Sequence, residues 1–216
     1  MNEISNIAKF LTIFLLVLAA CTAQSQVEVG IRGGVAFSKQ KFDNYSFPPH
    51  LSNHIEGIEV GATLNWFFLR SFFLQPELTF IQKGGIISFH TLKINNVEAA
   101  ALFGYERKCE KLSLFVSSGA FVDRVLNIAR GSTGNSTPDR EIEVFNWGWG
   151  LMYGGGAAIP IGNGWIGLAG RFRHSLSSFR RISYFADLGG NPETPFIVNY
   201  KNRGWSINLY YKIDIP

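Results

Sequence analysis

Hydrophobic and polar residues alternate along most of this chain, and the alternation is cleanest from Phe73 to Gly85, FLQPELTFIQKGG. Leu74, Leu78 and Phe80 fall on one parity, with Gln75, Glu77, Thr79 and Lys83 on the other. Successive side chains of an extended strand point to opposite faces, so a period of two predicts a strand with one apolar and one polar side. A helix would bring Leu74 and Glu77 to the same face.

The pattern recurs on both sides of this stretch. Val27, Val29, Ile31, Val35 and Phe37 alternate with Glu28, Gly30, Arg32, Gly34 and Ala36 in a first strand, and residues 38 to 55 read as a polar loop. Ile58 to Trp66 forms a second strand, with Glu59 on its polar face, and a turn near Phe68 to Ser71 leads into the third. Leu92 to Glu106 reads as a fourth, with Val97, Ala99, Ala101, Phe103 and Tyr105 on one face and Glu98 and Leu102 on the other. After a charged turn, Arg107 to Lys111, the fifth strand sets Leu112, Leu114, Val116 and Val122 against Ser113, Ser117 and Asp123. The turn-rich loop Gly131 to Arg140 precedes a sixth, in which Trp147, Trp149, Leu151 and Tyr153 oppose Gly148, Gly150, Met152 and Gly154. A turn at Pro160 to Gly164 opens the seventh, where Ile166, Leu168 and Phe172 oppose Arg171 and Arg173. A long loop with Gly189-Gly190-Asn191-Pro192 precedes the eighth, in which Trp205, Ile207, Leu209, Tyr211 and Ile213 oppose Ser206, Asn208, Tyr210 and Lys212.

The connections run about 18, 4, 8, 5, 18, 6 and 25 residues, alternately long and short, as in an up-and-down membrane barrel with short periplasmic turns and longer external loops. Volume decides which face is outside. Turned inward, the apolar faces would place roughly thirty large residues, Trp66, Trp147, Trp149 and Trp205 among them, where eight strands leave room only for close-packed side chains. The expected fold is therefore all-β, a closed eight-stranded antiparallel transmembrane barrel with its apolar face to lipid. A soluble barrel holding an apolar ligand is the rival reading. Trp66, Phe67, Phe72, Tyr105, Trp165 and Tyr211, near strand ends, read as an interfacial girdle. Pro76 has no N–H for the ladder and predicts a local bulge.

Composition fits this picture: of 216 residues 14% are aromatic and only 17% charged, which is greasy for an exported soluble protein. Residues 1–25 read as an export signal, with Lys9, the apolar run Phe10 to Ala20 and the small residues around Ala23-Gln24-Ser25, leaving 26–216 as one barrel domain. Leu18-Ala19-Ala20-Cys21 also resembles a lipobox, in which Cys21 would carry lipid. After cleavage at Ser25 only Cys109 remains, so no internal disulfide forms. The compartment expected is the outer membrane of a Gram-negative bacterium.

Several stretches resemble the PorT-like outer-membrane β-barrel proteins: VGIRGGVAFS, LQPELTFIQKGG, the strand holding Glu98, WGWGLMYGGGAAI, GRFRHSLSS and RGWSINLYYK. The chain departs from that family at Ala100, often proline there, and in ending Ile213-Asp214-Ile215-Pro216 rather than on an aromatic residue. The resemblance implies an eight-stranded barrel delivered by the barrel-assembly machinery, and for one branch a role in protein secretion through the type IX system.

The polar faces carry acids Glu28, Glu59, Glu77, Glu98, Glu106 and Asp123 and bases Arg32, Lys83, Arg171, Arg173 and Lys212. Inside so narrow a barrel charges persist only if paired, so a structural network is expected, with a small pore as the alternative. His50 and His54 are four apart but lack a third ligand, so no metal site is expected. His174 and Ser175 invite comparison with lipid A deacylases, yet the position two after the histidine is Leu176, and Ser177 falls on the opposite parity. No cofactor fingerprint occurs, and catalytic residues are not expected. Lys39, Lys41, Arg180, Arg181, Lys201 and Arg203 cluster where external loops leave the membrane, and suit contact with outer-membrane lipid and lipopolysaccharide. Nucleic acid is not an expected partner, and a secretion-system protein is. Membrane vesicles should retain the protein through high-salt and carbonate washes, read by immunoblot; recovery in the soluble fraction would contradict the assignment of faces.

Overall fold

The computed structural model describes residues 26–42, 52–87, 90–132, 142–144, 147–177, 180–184 and 196–215. The export signal, His50, most of the loop Gly131 to Arg140 and the loop containing Gly189 lie outside these residues. The described residues form eleven strands: β1 Gln26–Phe42, β2 Ser52–Asn53, β3 Ile55–Phe67, β4 Phe72–Ile87, β5 His90–Lys108, β6 Ser113–Ser132, β7 Ile142–Val144, β8 Trp147–Ile161, β9 Gly164–Ser175, β10 Arg180–Tyr184 and β11 Phe196–Ile215. Eight of them, β1, β3, β4, β5, β6, β8, β9 and β11, form one antiparallel wall, closed where β1 pairs with β11 from Val27↔Ile215 to Phe42↔Tyr200. Closure leaves no edge to be satisfied by lipid, which has nothing to offer a free N–H or C=O.

Paired residues followed once around the wall, from Phe37 through Trp205, Phe172, Tyr153, Ser118, Phe103, Leu74 and Trp66, return to β1 at Val27, ten residues from the start. That stagger over eight strands corresponds to a tilt of about 40°. The apolar parity of each strand faces out: Ile31, Val60, Leu78, Leu114, Trp149, Leu168 and Leu209 are all exposed. The opposite parity is buried, with Glu28, Arg32, Glu77, Glu98, Arg171 and Asn208 nearly inaccessible.

The strands are longer than the alternation suggested. β4 and β5 pair as far as Ile87↔His90, so residues 88 and 89 alone join them where about eight were expected. Ile86, Ile87, Thr91 and Leu92 carry the β-forming sequence onward. β7 and β10 extend β8 and β9 beyond a break at which the register slips by one residue, from Gly150↔Ser175 to Val144↔Arg180. There the Trp149 carbonyl accepts the N–H of both Leu176, at 3.0 Å, and Ser177, at 3.2 Å.

Pro76 does not make a bulge. Thr63↔Glu77 and Trp66↔Leu74 share one register on either side of it, so the ladder to β3 is interrupted without a shift, and on the β5 side Pro76 pairs in register with Ala101. A proline can omit one bond without adding a residue, and this one does. The bulge falls instead between Asn95 and Asn96, where β6 supplies one residue more than β5.

The girdle also needs correction. Trp66, Phe72, Tyr105 and Tyr211 lie on the outer parity near the short turns, and Phe72 meets Tyr105 edge-on at 5.2 Å. Phe67 points inward instead, buried against Phe73 at 5.4 Å, and Trp165 shares the inner parity. At the opposite end a second aromatic band is formed by Trp147, Trp149 and the Phe37–Trp205 stack, whose centroids are 4.1 Å apart. Leu78 sits midway between the bands, 58% exposed. Leu78→Arg should therefore cost about 2 to 4 kcal/mol in urea-dependent folding into lipid, and Leu112→Arg, at the short-turn rim, about 0 to 1.

Candidate functional site: the charged lumen

All nine charged residues singled out for the lumen, Glu28, Arg32, Glu59, Glu77, Lys83, Glu98, Arg171, Arg173 and Lys212, lie on inner-facing positions and are buried. Eight inner-facing charges join into one unbranched series of alternating sign. Asp123 accepts from Lys83 at 2.8 Å, and Lys83 also meets Glu98 at 2.7 Å. Arg173 bridges Glu98, at 2.8 Å from Nε, and Glu59, at 2.7 Å from Nη2. Arg32 joins Glu59 to Glu77, both at 3.0 Å, and Arg171 ends the series on Glu77 at 3.1 Å. Four acids and four bases alternate, so each of these carboxylates but the terminal Asp123 lies between two cations. In a low-dielectric space such an arrangement offsets the desolvation that an isolated ion would suffer.

A second, smaller group lies at the short-turn end. Lys212 holds Glu106 at 2.6 Å and Glu28 at 2.9 Å, Lys108 pairs with Glu28, and Ser113 donates to Glu106. The sequence places Lys108 in a charged turn; in the structure it belongs to the lumen. β5 runs two residues further than expected, and its even positions face inward, which carries Lys108 to the mouth of the lumen over the rings of Phe67 and Trp165 at 5.3 and 5.5 Å. At the mouth Lys108 also meets Asp214, on the inner parity of β11, at 3.3 Å.

Between the charges the lumen is filled by rings laid on glycines of the neighbouring strand. Phe73 lies on Gly104, Phe121 on Gly150 and Phe115 on Gly156, each pair directly opposed across the ladder. A Cβ on Gly104 would come within 2.2 Å of the Phe73 ring, and one on Gly150 within 2.7 Å of Phe121. Only glycine leaves this space. Phe121 joins Ala100, Leu102 and Met152 in a buried apolar cluster, which explains the inward Leu102 that interrupts the polar face of β5. Two small cavities lie among the described residues, about 30 Å³ beside Arg32, Asn65, Arg171, Tyr210 and Lys212, and about 10 Å³ beside Lys83 and Arg173. The larger has room for a water or two, and Arg171 Nε and Tyr210 Oη, which have no hydrogen-bond partner among the described residues, give it polar walls.

The other candidates do not converge. His174 lies on the outer parity of β9, its Nε2 3.4 Å from Arg203 Nη2. The Ser177 hydroxyl accepts from Trp149 N–H at 2.8 Å and donates to the Trp149 carbonyl at 3.3 Å. Both capacities of the hydroxyl are used by backbone. Of the histidine pair, His50 is outside the described residues, and among the described residues no three metal-ligating side chains gather. The side chains of His90, Lys41, Arg180 and Arg181 also fall outside the described residues.

The wall resembles that of solved outer-membrane barrels. OprG from Pseudomonas aeruginosa matches with a TM-score of 0.52 at 12% identity, covering 87% of this chain and 95% of that one. Ail of Yersinia pestis matches at 0.42 and 17%, covering 87% and 99%, and Neisserial surface protein A at 0.44 and 11%, covering 84% and 95%. At such identities the likeness is one of fold. No curated protein matches the chain by sequence. The model of the outer membrane protein beta-barrel domain matches residues 22–181, a span that takes in seven of the eight wall strands, and the chain belongs to that family.

Proposed function

We propose that this protein is a non-conducting, non-catalytic outer-membrane barrel that acts through its external end, in adhesion or in a secretion-associated complex of the PorT-like kind. The observation that carries this reading is the alternating ion-pair series, in which eight inner-facing charges cross the lumen from β6 to β9 already paired with one another. The inner charges are a structural network in this reading. Function then belongs to the surface beyond the membrane, where β7, β10 and the upper part of β11 continue as paired strands.

A lipid-modifying enzyme is the second reading, and the geometry at His174 weighs against it, because its neighbour is a cation and Ser177 is held by Trp149. Outer-membrane lipid, lipopolysaccharide, the barrel-assembly machinery and a secretion-system protein are the partners proposed. Nucleic acid is not.

In planar bilayers the purified protein should give no steady current; a reproducible ion-selective single-channel conductance would replace the structural reading with that of a small pore. Within the lumen, Arg173→Met removes the link between Glu59 and Glu98 and should lower unfolding free energy by about 3 to 5 kcal/mol. Lys108→Met, at the partly exposed mouth, should cost under about 1 kcal/mol in the same urea titration.

A further inference from the structure

The outer face of the wall carries basic side chains on three successive strands at the end away from the short turns. Lys39 on β1 is paired in register with Arg203 on β11, and Arg203 with His174 on β9. Lys201 stands two residues further along the same face of β11. Directly beneath Lys39 and Arg203, on the membrane side, Phe37 and Trp205 stack at 4.1 Å with Trp205 42% exposed. Glu56, which pairs with Phe37 across the ladder, is the acid that bounds the group on β3.

We propose that this face binds a phosphate-bearing glycolipid of the outer leaflet. The reading rests on the outer-membrane assignment and gives the lipid contact a location. Lys39 and Arg203 take the phosphate, Arg203 presenting the planar fork that matches its oxygens. The Phe37–Trp205 stack and Ile207 below it take the first segment of an acyl chain. Charge complementarity selects the occupant: the cations stand where the aromatic band meets the headgroups, and an anion borne on a lipid reaches them while its chains remain against Trp205. Arg124 is not part of the group, since it lies over the Trp147 ring at 5.6 Å on another section of wall.

The test uses the full chain purified in zwitterionic detergent and titrated with bis-phosphorylated lipid A, bound lipid being counted by native mass spectrometry. Lys39→Gln with Arg203→Gln should weaken binding roughly tenfold or more, whereas Arg70→Gln with Lys111→Gln, the same charge change at the short-turn end, should leave it unaltered. Heat-modified gel migration shows whether the double variant has assembled. The unmodified protein offered enzymatically dephosphorylated lipid A needs no variant, and should bind it at least roughly tenfold more weakly than the phosphorylated form. Equal binding of the two lipids, or of the double variant and the unmodified protein, overturns the proposal. A protein that resists carbonate extraction yet ignores phosphate loses this site alone; one recovered in the soluble fraction loses the outer-membrane reading itself.

Discussion

The structure depends on one requirement of the bilayer, that no peptide group inside it be left without a hydrogen-bond partner. A sheet satisfies this only by meeting itself, which here happens along the seam between β1 and β11. Everything else follows from how tightly the sheet is wound. Eight strands with a stagger of ten enclose a space that side chains fill, so whatever points inward must either pack or pair. Glycines opposite rings meet the first condition, and alternation of acid and base meets the second.

The lumen is thus a second core, polar where most cores are apolar. Its ion pairs, unlike surface salt bridges, are buried, and Glu59, Glu77 and Glu98 are each shared between two cations rather than paired with one. The apolar cluster of Leu102, Phe121 and Met152 interrupts the charges without separating them, and Arg171 donates to the Met152 sulfur at 3.3 Å. Such a filled interior leaves the outer face and the external end as the surfaces through which the protein meets its surroundings.

Parity in the sequence was enough to assign a face to residues within strands, because each strand decides inward and outward by a period of two. What it could not supply came from neighbours. The sequence shows that Phe67 and Trp165 stand near strand ends, but their inward turn depends on where each strand stops, and the alternation fades there. Lys108 was lost for the same reason. The external aromatic band of Trp147, Trp149, Phe37 and Trp205 needed the stagger between strands, which no single strand records. The bulge that Pro76 predicts does not form because its missing donor is absorbed by a gap in one ladder, a matter decided by the partner strand. The exact partners within the charge series were likewise beyond reach, since Arg173 on β9 meets Glu59 on β3 and Glu98 on β5 only across the barrel.

The ring and glycine contacts have a bearing on how the chain reaches this state. Phe73 and Gly104 belong to strands joined by one hairpin, and Phe121 and Gly150 to neighbouring strands of the wall, so each contact can set its register while the sheet is still open. The pairs made by Arg171, Arg173 and Lys212 with β3, β4 and β5 span the enclosed space and have no counterpart in an open sheet. Register is thereby settled locally and early, and the balance of charge is settled last. A strand paired one residue out of register would turn its charged face to lipid and leave its partners across the lumen unmatched, and the closed barrel would refuse it.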